Sequence, residues 1–252
     1  MGLEHATADN ANLYASLGQL AGLVAGTVEL SGLLKQVATL AEHAIPGADG
    51  AGVTLLRTAV PRNRIEALAT SHRFVSEIHE IQYVTLDEGP CVTATLEARI
   101  VRSGSLGGEK MWPRFGPRVG RLGVHSALSL PLLVSGQVVG GIDVYAHAKD
   151  VFDDRATEVG ELFAASAAVT VRNAQILAGV LALTTQLQSA LATRPVIEQA
   201  IGLLRGRSGG TAEEAFSRLR VISQSEHTKL VDVAQHIVNQ AVRRARARRC
   251  NS

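Results

Sequence analysis

Five cations near the C-terminus carry the clearest chemistry in this chain of 252 residues: Arg194, Arg205, Arg218, Arg220 and Lys229. A guanidinium presents a planar fork of donors to phosphate and stacks on unpaired bases, while an ammonium acts as a compact point charge. Arg194 and Arg205 are separated by about three helical turns, so on a helix they share one edge. Arg218 and Arg220 flank the apolar face of the next predicted helix, and Lys229 opens the one after it. Together the five can line a surface that grips a phosphate backbone. Each has a plainer use as well, pairing with Glu198, Glu213 or Glu226 as exposed helix ions commonly do.

The other reactive side chains lie earlier. Cys91 follows Gly89-Pro90 at the predicted start of a short helix, where a thiolate is favoured. It is a redox or covalent-attachment candidate, or a small buried thiol. His72, His79 and His125 are candidate haem or metal ligands, but their spacing matches no metal motif. The chain has no phosphate-binding Gly-x-x-x-x-Gly-Lys loop and no His-Glu-x-x-His. A non-enzymatic protein is expected, and no cofactor is assigned.

Charge separates the chain into blocks. Residues 194–249 hold eleven Lys/Arg against five Asp/Glu, whereas the rest of the chain is net acidic. Opposite blocks suggest modules with different partners, the basic one meeting a polyanion. The first residues show no basic start followed by an apolar block, and no apolar run of membrane-spanning length lacks polar breaks. Cys91 and Cys250 lie far apart in sequence, so a disulfide is not expected and a cytoplasmic setting is.

These side chains must be positioned by regular elements. A leading helix is expected over 11–26. Helical spacing over 29–44 predicts an amphipathic helix capped by Ser31 and ended by Pro46-Gly47. Strands are expected at 50–57, 65–71 and 99–102, with a helix at 73–82. The segment 103–117 is expected to be a loop or short helix. Two apolar runs, 126–136 and 137–146, meet at Ser135-Gly136 as a hairpin. An antiparallel sheet flanked by helices, an α+β domain, follows.

From Asp153 the pattern is helical. Val159, Ser166, Asn173, Val180 and Leu187 occupy one heptad position, and Leu162, Val169, Ile176, Leu183 and Ala190 the other. Such a seam predicts a coiled-coil linker and a homodimer, with Asn173 setting register. The alternative is a helix that lays one face on the preceding sheet. At Arg194-Pro195 a new helix is expected. Gly209-Gly210 ends it, Thr211 and Glu214 form a capping box for a second, and a third carries Leu230, Val233, Ala234, Ile237 and Val238. This is an all-α three-helix bundle. The final arginine run, Arg243 to Arg249, is expected to fray. The expected organisation is an N-terminal helical segment (1–27), a sensor domain (28–157), a coiled-coil linker (158–192) and the bundle (193–249).

Residues 194–238 closely resemble an ANTAR domain. The match rests on Arg194, Ile197-x-Gln199-Ala200-x-Gly202-x-Leu204, Ala215-Phe216-x-x-Leu219-Arg220, Ser223 and Lys229-Leu230-x-x-Val233-Ala234. Ile201, Arg205 and His227 depart from the family's usual Lys, Met and Asn. The resemblance implies an RNA-binding transcription antitermination module, acting as a dimer that stabilises paired hairpins in a nascent transcript. Residues 28–178 resemble a GAF domain through Leu86-Asp87-Glu88-Gly89-Pro90-Cys91, Trp112-Pro113-x-Phe115, Gly123-Val124-x-Ser126 and Pro131-Leu132 with Val139-Gly140-Gly141-Ile142. That resemblance implies a sensor fold with a sheet of six or so strands and a possible small-molecule ligand. The combined expectation is a signal-controlled RNA-binding regulator without a membrane anchor. A ligand-sensing adaptor with a protein partner and a haem or redox sensor are the alternatives.

Overall fold

Apolar residues alternate with small or polar ones along three strands, and this alternation gives the sheet two different faces. In β1 (Gly50–Leu56), Ala51, Val53 and Leu55 point one way and Gly52 and Thr54 the other. In β4 (Ser126–Val134), Leu128 and Leu130 oppose Ala127 and Ser129. In β5 (Gln137–Ala146), Ile142 and Val144 oppose Asp143 and Tyr145. With β2 (Ile65–Thr70) and β3 (Val101–Ser103) they form a five-stranded antiparallel sheet ordered β2-β1-β5-β4-β3. The β4–β5 hairpin turns at Ser135-Gly136, both at positive φ, as the sequence predicts. The computed structural model describes residues 2–23, 26, 29–57 and 65–249; Cys250 lies outside them.

The apolar face is covered by α1 (Gly2–Ala21), α2 (Leu30–Ala44) and the first turns of α6 (Asp154–Ser208). Leu33, Leu34, Val37, Ala38 and Ala41 of α2 are fully buried there, each large side chain contributing about 1.5–3 kcal/mol. The N-cap of α2 is Glu29 rather than Ser31, because the helix already includes Ser31 as its second residue. The opposite face is covered by α3 (Arg73–His79), a π-helix (Glu80–Leu86), α4 (Pro90–Glu97) and α5 (Phe115–Arg121). The helix expected at 73–82 thus changes pitch at Glu80. Trp112 is buried between these elements and donates from Nε1 to Thr93 Oγ1 at 2.9 Å.

Helix α6 departs from expectation in two ways. It runs through Arg194-Pro195 without a break, so no new helix begins there. Proline lacks the donor for one intrahelical bond, yet strong helical sequence on both sides carries the helix across. Val159, expected in the coil seam, is fully buried with Phe163, Ala167 and Val171 in the core beneath the sheet. The other seam residues point outward: Leu162, Val169, Ile176, Val180, Leu183 and Leu187 are all more than half exposed, and Asn173 is exposed. The reading of a face laid on the sheet holds for the first part of the helix, and the remaining seam residues form an exposed apolar stripe on its other side. Gln175 anchors the buried side, donating to Leu56 O (3.2 Å) and Glu66 Oε2 (2.6 Å) and accepting from Arg172 (2.7 Å).

By length and composition α6 is also long and apolar enough to cross a membrane, with a window of mean hydropathy 1.4. Its uncharged stretch is interrupted by Gln175, Thr184, Thr185, Gln186 and Gln188. The chain divides into two compact units, Met1–Gly179 and Val180–Ser252. In the second, α7 (Ala212–Ser225) and α8 (Leu230–Arg249) pack with the end of α6 around Ala200, Leu219, Val233 and Ala234. The arginine run does not fray in the structure, since α8 remains helical to Arg249.

Candidate RNA interface and sensor site

The C-terminal bundle is pinned at its turns. Thr211 Oγ1 accepts from Glu214 N at 3.2 Å, and Glu214 Oε2 accepts from Thr211 N at 3.1 Å, completing the predicted capping box. Between α7 and α8, His227 has φ 53° and Ser223 Oγ donates to Thr228 O at 2.6 Å. A left-handed residue is needed at 227, which accounts for the family's usual Asn and for His being tolerated there.

This frame divides the five predicted cations. Arg194 Nε pairs with Glu198 Oε1 at 2.7 Å, and that hydrogen bond raises its pKa further above the usual arginine value. Arg205 Nε donates to Gly210 O at 3.3 Å, and Arg218 Nη1 donates to Ser208 Oγ at 2.7 Å. Arg205 and Arg218 are therefore brought together at the α6–α7 turn, engaged locally. Arg220 and Lys229 are exposed and make no hydrogen bond or ion pair among the described residues. They are the freest of the five for an external phosphate.

The sensor unit holds a second candidate site, which joins two of the candidates from the sequence, His79 and Cys91, to residues the sequence does not single out. On the polar face of the sheet, His79 Nε2 lies 3.3 Å from Asp143 Oδ2, and neither side chain has any exposed surface. Ser129 Oγ makes a short hydrogen bond to Asp143 Oδ1. The Tyr83 and Thr54 hydroxyls are 3.0 Å apart, and Gln82 Oε1 accepts from Cys91 N at 3.2 Å. The sheet is hollowed to admit them. A Cβ on Gly52 would come within 2.3 Å of His79, and one on Gly141 within 2.7 Å of Cys91 Sγ. The His79–Asp143 contact does not have hydrogen-bond geometry, so both His79 ring nitrogens and Asp143 Oδ2, like Gln82 Nε2 and the Tyr145 hydroxyl, are buried without a hydrogen bond. Such groups cost about 1–3 kcal/mol each. Their concentration in one place makes this cluster the candidate sensor site.

Burial pushes the Cys91 thiol well up, and the nearby Asp143 carboxylate adds to the effect. Of the two readings of Cys91, the small buried thiol is the one that holds: it stands in the first turn of α4 and is fully buried, and desolvation outweighs any stabilisation of a thiolate there. Burial also raises Tyr83 and Tyr145. The three histidines are not gathered. His79 faces Asp143, His72 sits at the surface 3.0 Å from Glu42, and His125 belongs to neither contact. Among the described residues no three His, Cys, Asp or Glu side chains could hold a metal ion. The signal for the cluster was present in the sequence as Ser129 and Asp143, polar residues interrupting apolar strands.

The family profile of the GAF domain matches residues 27–172, and that of the ANTAR domain matches residues 185–238. No curated protein matches the chain. Among solved structures, the GAF domain of a phosphoenolpyruvate-protein phosphotransferase from Coxiella burnetii is similar, with 17% identity and a TM-score of 0.52 over 67% of this chain and 98% of that one. The corresponding GAF domain from Acinetobacter shares 15% identity, with a TM-score of 0.49 over 66% of this chain and 97% of that one. The free methionine-R-sulfoxide reductase of Neisseria meningitidis also has 15% identity and a TM-score of 0.49, covering 66% and 91%. The Coxiella likeness supports the sensor fold alone. ANTAR domains are RNA-binding antitermination modules and GAF domains are sensors, an architecture typical of regulatory proteins. The chain belongs to the GAF domain family and, with an ANTAR domain following its sensor, is a GAF–ANTAR regulator.

Proposed function

We propose that this protein is a cytoplasmic, non-enzymatic antitermination regulator acting as a homodimer on paired hairpins in nascent RNA. The observation that carries the proposal is the ANTAR bundle with Arg220 and Lys229 exposed on it. Dimerisation is supported by the apolar stripe from Leu162 to Leu187, which faces solvent in a single chain. A parallel coil would cover it and bring two bundles into register on two hairpins. A small molecule meeting the orphaned groups around His79 and Asp143 would supply the signal. Control then passes along α6, whose buried face is part of the sensor core.

The test is binding of looped hairpin RNA by the full chain across a range of salt. Wild-type affinity is expected to fall steeply with salt. The double substitution Arg220→Ala and Lys229→Ala should weaken binding and flatten that dependence. Unchanged binding by the double variant would overturn the assigned face. An adaptor with a protein partner would instead purify free of nucleic acid and not bind the hairpin RNA.

A further inference from the structure

The match to the ANTAR domain ends at residue 238, but α8 continues to Arg249. After Asp232 this helix contains no acidic residue, and its extension carries Arg243, Arg244, Arg246, Arg248 and Arg249. Arg243, Arg244 and Arg246 are exposed and make no ion pair or hydrogen bond among the described residues. Arginines with no local carboxylate, held on a helix, form a ready polyanion surface.

Beside them runs an apolar groove. Gln199, Gly202 and Leu203 of α6 form one side, and Val238, Ala241, Val242 and Ala245 of α8 the other, of an open, shallow depression of about 490 Å³. The surface at Gly202 is open, since a Cβ there would meet nothing within 4 Å. Glycine in a helix interior costs about 1 kcal/mol relative to alanine, and nothing in the bundle's packing requires it at 202. At 100° per residue, Arg244 and Arg246 leave α8 on either side of the groove-facing stripe, roughly 90–110° from its centre. Arg246 thus leaves α8 beside the groove on its solvent side, whereas Arg244 leaves it beyond the core-facing stripe of Val233, Ala234 and Ile237.

We infer that the arginine-bearing end of α8, which lies beyond the ANTAR match, forms a second RNA contact surface together with this groove. The arginines take backbone phosphates and the groove takes one unpaired base of the same RNA. This rests on the RNA-binding reading above. Unpaired loop bases are the ones available for insertion, and guanidinium planes stack on them. A lipid surface fits less well, because Val242 is the one large apolar side chain exposed on this extension, too little for an interfacial helix.

The test uses the full-length protein with three probes: a synthetic RNA folding into two looped hairpins, a blunt RNA duplex of equal length, and phosphatidylglycerol vesicles. Replacing Arg243, Arg244 and Arg246 together by Ala should reduce the salt slope for looped RNA by about two log units per log unit of salt. Helicity should persist, because alanine favours helix. Gly202→Leu should leave the fold at least as stable, weaken looped RNA roughly tenfold and leave duplex binding unchanged. If wild-type protein binds looped RNA and the triple variant shows the same slope, the added surface is overturned while the RNA reading stands. Unaltered looped-RNA binding by Gly202→Leu overturns the groove's role. Loss of vesicle binding alone in the triple variant assigns the arginines to lipid and also overturns the inference. Failure of wild-type protein to bind either RNA overturns both this inference and the reading beneath it.

Discussion

Arg218 Nη1 donates to Ser208 Oγ at 2.7 Å, tying the second helix of the bundle to the last residue of α6. Arg205 closes on the same turn through Gly210 O. These two cations hold the turn, whereas Arg220 and Lys229 face outward. Arg218→Ala is therefore expected to lower bundle stability by up to about 1 kcal/mol while changing the RNA salt slope less than Arg220→Ala. Thermal melts and salt titrations of the two variants separate the roles. Equal slopes with unequal stabilities would contradict the division.

The His79–Asp143 contact gives a stability prediction. Both groups are fully buried, so His79→Leu leaves Asp143 without its facing partner and should cost about 3–5 kcal/mol. His79→Leu combined with Asp143→Leu should cost less than the sum of the two single changes, because neither then strands the other. Urea denaturation of the four proteins completes the cycle. Additive costs would mean that the two groups do not interact.

Cys91 yields a pH dependence. Its thiol is raised by burial and by Asp143, so the folded protein keeps the proton after an unfolded cysteine, at about 8.5, has lost it. The unfolded state then binds fewer protons, and stability falls as pH rises. The contribution is fully present below about pH 8.5 and is lost as pH climbs towards the folded value. Tyr83 and Tyr145, also raised, extend the fall from about pH 10. The midpoint of thermal unfolding should drop above about pH 8.5, and Cys91→Ala should remove the first part of that drop. Rapid labelling of Cys91 by a thiol reagent in the native protein at neutral pH would be the contrary result.

The seam on α6 predicts a change of assembly. Leu183→Glu with Leu187→Glu places charge on the stripe that dimerisation would cover, away from the sensor core. Light scattering should find a dimer for wild type and a monomer for the variant, with the sensor unit still folded. A wild-type monomer at micromolar concentration would remove the coil from the account.

Much of this was legible in the sequence because it rests on local rules. The hairpin at Ser135-Gly136, the capping box at Thr211 and Glu214, and the three bundle faces follow from turn chemistry and helical period. What escaped depends on tertiary placement. Heptad spacing put Val159 in the coil, but the same spacing equally fits a face on the sheet, and only the fold decides between them. Pro195 looked like a helix start because proline's local preference says so, while α6 absorbs it. Asp143 went unread inside an apolar strand, although a charged residue there needs partners. Those partners, His79 and Ser129, come from elements distant in sequence.

The most direct test of the account is crosslinking in cells followed by sequencing of the bound RNA, comparing wild type with the Arg220→Ala and Lys229→Ala variant. The expected result is enrichment of transcript leaders containing two adjacent hairpins, lost in the variant. Equal recovery from both proteins, or recovery of no RNA above background from wild type, would contradict the claim that this C-terminal bundle acts on nascent RNA.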